Sequence, residues 1–356
     1  MRPYNRIAIF AATLSMGILL PAFRAQAQVP ERPAIRRVRI LNGLGKQNPN
    51  IEVRRAREIM ALFLRQGVKQ PYIGEQTTQV MAGGLESTQI VKHRGALVER
   101  IQFLTPPRMS GEIILQNAGR FQHYKPSQNV VLEGVASPEV FLGQVKEILQ
   151  GIKSGKISVR VVGSQTVAEQ AASIVEMRTP EGGWRLWIDN RTGVRLKSEQ
   201  LNAQGSVSIT TYFTKIDYTP TFDPKDFNPG SLPRVRHEAS LPSGPPLPNV
   251  QAAQQLVDYT IREPAIPAGF RLSGVWVVEL PAGHKVSVLR YTDGPNNFTL
   301  FEQPVRQKAL QKPPQPSQDA KALRRNLRHW IAGDISFSLL GNLRPATLEQ
   351  IVDSLQ

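Results

Sequence analysis

The clearest alternation of hydrophobic and polar residues lies in residues 184–216. Apolar and polar side chains alternate in three successive runs, 184–189, 194–200 and 207–214, and the first turn ends in Gly193. A period of two interrupted by turns predicts three antiparallel strands with one apolar face. That face must pack against the protein's own helices or against a ligand, and the two alternatives imply different functions.

Two segments with helical spacing could cover this sheet. Apolar residues recur every three or four positions in residues 51–66, which end at Gly67, and again in residues 138–150. Ser137 and Pro138 give the second helix an N-cap and a proline at its first position. We expect both helices to lie on the concave face of the sheet.

An apolar cavity between helices and sheet would form a lipid-binding site. Such sites are lined mostly by hydrophobic side chains. The predicted lining residues are Met60, Phe63, Leu64, Phe141, Val145, Trp184, Leu186, Val194 and Phe213. The alternative is a closed core that leaves no room for a ligand.

The remaining sequence adds many short strands joined by short turns. Eight runs precede residue 184, at 72–80, 88–94, 97–103, 112–117, 120–125, 129–133, 157–162 and 173–178. Four more, at 272–280, 285–291, 298–301 and 335–340, are followed by an apolar helical stripe over 345–355. Successive strands with short connections favour antiparallel sheets. The sequence therefore predicts an α+β protein, with an antiparallel half-barrel covered by helices and a smaller antiparallel sheet with one helix.

Proline and charge divide the chain into segments. Residues 229–255 are rich in proline with serine and glycine, a composition typical of an extended linker. We therefore predict a half-barrel domain over 51–228 and a C-terminal domain over 256–356. A basic arm over 28–50 precedes the first domain, and a basic insertion over 303–329 interrupts the second.

The first 27 residues have the composition of a secretory signal peptide. Arg2 and Arg6 precede an apolar run over 7–20, and Ala25-Gln26-Ala27 fits a cleavage site before Gln28. A retained anchor helix is the alternative, although the run is shorter than the ~20 residues that a membrane span needs. The chain contains no cysteine and hence no disulfide. We expect a periplasmic protein whose signal peptide is cleaved.

The charge of the chain indicates an anionic partner. The net charge is +16, and loss of the signal peptide with its three arginines lowers it to +13. An exported protein of this charge is expected to bind anionic lipid head groups, acidic polysaccharide or an acidic protein rather than nucleic acid. The basic insertion contains seven Lys and Arg residues against one acid, Asp319. Arg324, Arg325 and Arg328 are the predicted partner-binding residues, and a solvated loop is the alternative.

The sequence lacks the side-chain patterns of common active sites. Its five histidines do not have the spacing of a metal site; they are His93, His123, His237, His284 and His329. It contains no GxSxG elbow, no P-loop and no cysteine nucleophile. His123 on a strand and Asp189 before a turn are interpreted as structural residues. We therefore expect a non-enzymatic protein without catalytic residues, metal or cofactor.

Four groups of residues resemble the MucB/RseB family. They are residues 113–133 with Tyr124-Lys125-Pro126, residues 161–216 with Leu186-Trp187-Ile188-Asp189, residues 267–294 with Thr292-Asp293-Gly294, and residues 339–355 with Leu339-Leu340-Gly341. The first half of the chain is also similar to the lipoprotein carriers LolA and LolB. The sequence departs from the family at Glu169, where a glycine is usual, and in its long basic insertion.

The resemblance implies a regulator of an envelope-stress sigma factor. In that family the C-terminal domain binds the periplasmic part of a membrane anti-sigma factor, and the half-barrel is expected to sense mislocalised lipid or lipoprotein. The alternative is a periplasmic carrier of lipid or lipoprotein, acting in outer-membrane lipoprotein sorting. A plain carrier has no second domain, whereas this sequence predicts one over 256–356.

Overall fold

The computed structural model describes most of the chain after residue 48. The described residues are 49–81, 84–95, 98–117, 119–135, 147–239, 245–280, 284–305, 327–341 and 343–356. The predicted signal peptide and nearly all of the basic arm lie outside them, as do Phe141, Val145, Arg324 and Arg325. Within these ranges no helix has the length and apolar character needed to cross a membrane.

The described ranges contain helices and strands of two separate sheets. The helices are α1 (Pro49–Leu62), α2 (147–154), α3 (Val250–Gln254) and α4 (Pro345–Asp353). The strands of the large sheet are β1 (Tyr72–Val80), β2 (Leu85–Gly95), β3 (Val98–Thr105), β4 (Ile113–Asn117), β5 (Arg120–Lys125), β6 (Val130–Val135), β7 (Ser158–Val167), β8 (Gln170–Thr179), β9 (Gly182–Asp189), β10 (Arg195–Asn202), β11 (Val207–Asp217) and β12 (Arg236–Ala239). The strands of the small sheet are β13 (Arg271–Leu280), β14 (His284–Thr292), β15 (Asn297–Pro304), β16 (Leu327–Ala332) and β17 (Ile335–Gly341).

The large sheet consists of two antiparallel meanders. Its twelve strands follow the order β12-β6-β5-β4-β3-β2-β1-β11-β10-β9-β8-β7. The meanders β1–β6 and β7–β11 meet where β1 pairs with β11. This order confirms the antiparallel sheet that the alternation predicts.

One strand of the large sheet lies in the segment predicted as a linker. Residues 236–239 form β12, which pairs in parallel with β6 at the edge of the sheet. The four residues Arg-His-Glu-Ala carry no apolar alternation. The exposed backbone groups of an edge strand can pair with any extended segment. β12 therefore forms because the fold places this segment beside β6. The local sequence pattern does not predict that position.

Helix α1 docks on the sheet through two glycines. It continues into a π-helical turn, Phe63–Gly67, so the predicted end at Gly67 is confirmed. A Cβ added at Gly67 would lie 2.0 Å from the carbonyl oxygen of Gly193. Gly193 itself has a φ of 76°, in the left-handed region expected for the glycine that closes this turn. Backbone therefore touches backbone here, and α1 is held across β7 and β8.

The turn between β7 and β8 contains two residues in the left-handed region. Ala168 and Glu169 have φ values of 47° and 64°. Residues other than glycine adopt this left-handed conformation at a cost. Glu169 therefore stands where the backbone itself favours the glycine that is usual in the family.

The small sheet has one strand more than the sequence predicts. Its order is β13-β14-β15-β17-β16, and β16 is the end of the basic insertion. The sequence does not predict β16 as a strand, because basic residues surround it and interrupt the apolar alternation. The predicted stripe of α4 is confirmed, because Leu348, Ile351 and Leu355 pack into the core of this sheet with Phe298 and Phe337.

Candidate ligand-binding interior and partner-binding surface

The first apolar cluster lies between α1 and the β7–β9 end of the large sheet. Met60 and Ala56 of α1 pack against Trp184 and Leu186 of β9, and Ile148 of α2 joins them. Alternation on β9 and helical spacing on α1 produce two complementary apolar faces. The structure therefore brings three of the predicted lining residues, Met60, Trp184 and Leu186, into one cluster.

Two other predicted residues lie in neighbouring clusters. Phe213 packs with apolar residues of β2–β5. Val194 packs with Trp187 in a separate cluster. Both clusters contact the same two partly buried residues, Tyr72 and Ile216, so they adjoin one another.

The other predicted lining residues are less enclosed or lie outside the description. Phe63 packs at the edge of the cluster beneath α1, and Leu64 is partly buried. Phe141 and Val145 lie outside the described residues. An open, continuous cavity along all nine residues therefore stays a prediction.

A group of charged and aromatic side chains lies where the two neighbouring clusters meet. The rings of Tyr72 and His93 are stacked with their centroids 4.9 Å apart. Burial raises the pKa of the Glu99 carboxyl, while the charges of His93 and Arg195 oppose that shift. Burial also lowers the pKa of Arg195, and the nearby Tyr72 and Glu99 oppose it. The Glu99 carboxyl and the Arg195 guanidinium therefore interact electrostatically in this group.

This charged group also shows how strongly the sheet curls. Glu99 lies on β3 and Arg195 on β10, four strands apart in the sheet order. In a flat sheet that separation is about 19 Å. Their charges nevertheless interact, and Ala168 in the β7–β8 turn packs against the cluster around Phe213. The sheet therefore curls until strands far apart in its order approach one another.

The middle strands place polar residues on the same face as Leu186. Ser87, Thr78, Thr211, Ser198 and Leu186 occupy directly opposed positions on five neighbouring strands. The hydroxyls of Thr78 and Thr211 lie 3.1 Å apart, and the buried Ser198 hydroxyl has no hydrogen-bond partner among the described residues. The interior face is therefore apolar beneath α1 and polar in its middle. The sequence reasoning missed these residues because serine and threonine on a strand usually face water.

The two sheets are joined at the turn between β8 and β9. The Glu181 carboxylate accepts hydrogen bonds from Arg344 N at 2.9 Å, Arg344 Nε at 2.7 Å and Thr347 Oγ1 at 2.8 Å. Trp184 Nε1 donates to the Pro295 carbonyl oxygen at 2.9 Å. Trp184 therefore belongs both to the interior cluster and to the contact with the small sheet.

The predicted partner-binding surface is only partly described. Arg328 lies on β16, and its Nη2 is 3.0 Å from Oε1 of Glu349 on α4. Both side chains are more than half exposed, at 57% and 55%. Arg328 is therefore an accessible cation fixed on a strand, whereas Arg324 and Arg325 lie outside the described residues.

The two residues interpreted as structural have partners within the fold. His123 Nε2 lies 2.7 Å from Oε2 of Glu112 in a buried pair, and burial lowers the pKa of His123. Asp189 Oδ1 accepts hydrogen bonds from the backbone N–H groups of Arg191 and Thr192 at 2.7 and 2.9 Å. In the described part of the chain no three His, Asp or Glu side chains are grouped closely enough to hold a metal ion.

Comparison with protein families identifies the large sheet. Residues 72–231, from β1 to the turns that follow β11, match the model of the MucB/RseB N-terminal domain. This part of the chain is a MucB/RseB N-terminal domain. No curated protein matches the sequence.

Solved structures of MucB share the fold of most of this chain. The complex of Pseudomonas aeruginosa MucA and MucB matches with a TM-score of 0.58 and 18% identity, over 83% of this chain and 96% of that chain. MucB in complex with MucA(peri) matches with a TM-score of 0.56 and 17% identity, over 85% and 98%. A crystal structure of MucB matches with a TM-score of 0.53 and 18% identity, over 85% and 97%. At these identities the likeness establishes the fold alone.

The structural matches extend beyond the MucB/RseB N-terminal domain. That domain ends at residue 231, before β12 and the small sheet. A match over 83% of the chain is too long to end there, so it extends into the small sheet. A LolA superfamily protein from Nitrosomonas europaea also matches, at 11% identity and a TM-score of 0.26, which is too low to support an argument.

Proposed function

We propose that the chain is a non-enzymatic periplasmic regulator that binds the periplasmic part of a membrane anti-sigma factor. The observation that carries this proposal is the MucB/RseB N-terminal domain followed by a second sheet in the same fold as MucB, which was solved with MucA. Proteins of this family are periplasmic, and the composition of residues 1–27 supports the same location here.

The basic end of the small sheet is the proposed contact for an acidic partner segment. Arg328 is exposed on β16 and lies near the end of the basic insertion. Opposite charges on two partners raise the association rate and make it depend on salt. Arg324, Arg325 and Arg328 therefore steer the partner toward this end of the sheet.

Reversal of the three arginines tests this contact. R324E/R325E/R328E should slow association with the periplasmic segment of an anti-sigma factor from the same organism by about tenfold at low salt. Stopped-flow or surface-plasmon measurements over a salt series give the rate. The stability cost should stay below about 1 kcal/mol, because the Arg328–Glu349 pair is exposed.

A matched variant separates the location of charge from its amount. R54E/R55E/R65E makes the same change in net charge at three exposed arginines, two on α1 and one in the π-helical turn that follows it. It should leave most of the association rate and its salt dependence intact. Equal rates for wild-type protein and the insertion variant would show that the segment is only a solvated loop.

We propose further that the half-barrel interior binds an acyl chain, which would let the protein sense lipid or lipoprotein. The apolar cluster beneath α1 supports a short apolar site, and the polar row at Thr78 and Thr211 limits how far an apolar chain can extend. A fluorescent fatty acid should bind saturably, and native mass spectrometry should show one bound molecule. No binding at high micromolar probe would favour a closed core.

A periplasmic carrier of lipid or lipoprotein is the second candidate. The enclosed apolar cluster beneath α1 favours it as much as it favours a sensor. The two differ in transfer. A carrier hands a labelled lipoprotein to acceptor membranes, whereas a regulator binds the acyl chain and changes its affinity for the anti-sigma segment without transferring cargo.

A further inference from the structure

The side of α1 that faces away from the sheet is rich in arginine. Ala56 and Met60 are fully buried in the cluster on the sheet, so the opposite side of the helix faces solvent. Arg54, Arg55 and Arg65 are all exposed. Arg65 follows Arg54 after about three helical turns, which places both on the same side of the helix. This solvent-facing side therefore presents several guanidinium groups.

Acidic side chains neutralise little of this charge. Arg54 Nε lies 3.8 Å from Oε1 of Glu58, but the two side chains are 76% and 69% exposed. Water and salt weaken an ion pair that is so exposed. Arg55 and Arg65 form no ion pair within the described ranges. These cations can therefore attract an anionic partner.

Helix α2 extends the basic surface. Arg57 Nη2 donates a hydrogen bond to the carbonyl oxygen of Ile152 at 3.2 Å, so the end of α2 lies beside α1. Lys153 is exposed on α2. Glu147, at the other end of this helix, pairs with Arg271 on β13. The exposed cation of α2 therefore adds to those of α1.

Two large apolar side chains lie on the same solvent-facing sides. Ile51 is 52% exposed and precedes Arg54 and Arg55 by three and four residues, so it shares their side of α1. Leu149 is 44% exposed and precedes Lys153 by four residues on α2. A single exposed apolar residue is ordinary. Apolar side chains among cations on two adjacent helices are typical of a surface that lies at a membrane interface.

We propose that this surface, which we call the docking face, binds an anionic phospholipid membrane. The docking face consists of Ile51, Arg54, Arg55, Arg65, Leu149 and Lys153. Its cations pair with lipid phosphates, and its two apolar side chains enter the boundary between head groups and acyl chains. It lies outside the half-barrel interior and away from the basic end of the small sheet, so it goes beyond the proposed function.

The combination of charge and apolar surface selects a membrane as the partner. An acidic polymer in solution neutralises the cations but leaves Ile51 and Leu149 in water. A neutral membrane covers the apolar side chains but leaves the cations without counter-charge. An anionic bilayer satisfies both and spans two helices at once. Each basic residue near such a bilayer strengthens binding severalfold at moderate salt.

Vesicle binding by charge variants tests the docking face. The processed protein without the predicted signal peptide is used, because the apolar run over 7–20 would bind lipid by itself. It should cosediment with vesicles of equal parts phosphatidylethanolamine and phosphatidylglycerol, but not with phosphatidylcholine vesicles. R54E/R55E/R65E should weaken binding to the anionic vesicles by about tenfold or more. R324E/R325E/R328E makes the same change in net charge and should retain most of the binding.

Apolar variants separate a membrane from other anionic partners. I51S/L149S keeps every charge and should weaken binding to the anionic vesicles severalfold. L256S/I266S removes two similarly exposed apolar side chains outside the docking face and should bind like the wild-type protein. The chain contains no cysteine, so I51C accepts a single environment-sensitive fluorophore. Its emission should shift to the blue when vesicles are added, whereas the same label at I266C should not respond.

Four results would overturn the proposal. The first is a wild-type protein that does not bind anionic vesicles. Equal losses in the two arginine triples would mean that net charge acts without a docking face. Undiminished binding by R54E/R55E/R65E would place the contact elsewhere, such as the basic arm over 28–50. Polyglutamate that binds as tightly as vesicles, with no effect of I51S/L149S, would identify an acidic polymer as the partner. Association with the anti-sigma segment is measured without vesicles, so the proposed function stands or fails separately.

Discussion

Replacing Glu181 with alanine is expected to loosen the contact between the two sheets and to lower stability by about 2–4 kcal/mol. The carboxylate is buried and receives hydrogen bonds from Arg344 and Thr347. These two residues begin α4, and Arg344 provides no side-chain cap of its own. Glu181 therefore caps the helix of the small sheet from a turn of the large one, and its negative charge suits a helix N-terminus.

Thermal unfolding and limited proteolysis measure this effect. E181A should melt several degrees lower and be cut faster between β12 and α3, the connection between the sheets. The matched control is E349A, which removes an exposed pair with Arg328 and should cost less than about 1 kcal/mol. The assigned role of Glu181 is wrong if E181A and E349A melt together and are cut at the same rate.

Replacing Glu302 with glutamine is expected to stabilise the protein above neutral pH. Glu302 lies on β15 with none of its surface exposed, and burial raises its pKa to about 7 from an ordinary 4.5. Its Oε2 accepts a hydrogen bond from Arg262 N at 2.9 Å, and its Oε1 has no hydrogen-bond partner in the described part of the chain. A glutamine oxygen can accept the same bond, and the amide removes the buried charge.

The sign of the pH dependence follows from the raised pKa. Between about pH 4.5 and 7 the folded protein holds a proton on Glu302 that the unfolded chain releases. Stability should therefore fall as the pH rises through this window and stay low above it. At pH 8, E302Q should exceed wild-type protein by up to about 3 kcal/mol, and near pH 5 the two should be nearly equal.

Denaturant unfolding at pH 5, 6, 7 and 8 tests the prediction. E279Q changes an exposed glutamate on β13, an edge strand of the same sheet. It serves as the control and should follow the wild-type profile. A constant difference between E302Q and wild-type protein across the four pH values would mean that Glu302 does not titrate in this range.

Local patterns alone were enough to predict most strands and the ends of two helices. Period-two alternation located β9, β10 and β11, and the turn chemistry placed Gly193 in the left-handed region. These features depend on neighbours within a few residues, so they can be read from the chain. β12 and β16 were missed because their backbone pairing carries no apolar alternation strong enough to mark it.

The sequence by itself determined the two-sheet α+β organisation, the apolar faces of α1 and α4, and the absence of a recognisable catalytic motif. Only the tertiary structure decided which polar groups are buried and with what. The charges of Glu99 and Arg195 interact because the sheet curls, and Glu181 caps α4 because a turn of one sheet reaches the other. Arg290 and Glu302 resemble solvent-facing strand residues in the sequence and are buried in the fold. The physical reason is that burial of a strand residue depends on strand register and on what covers each face, and both are set by segments far away in the chain.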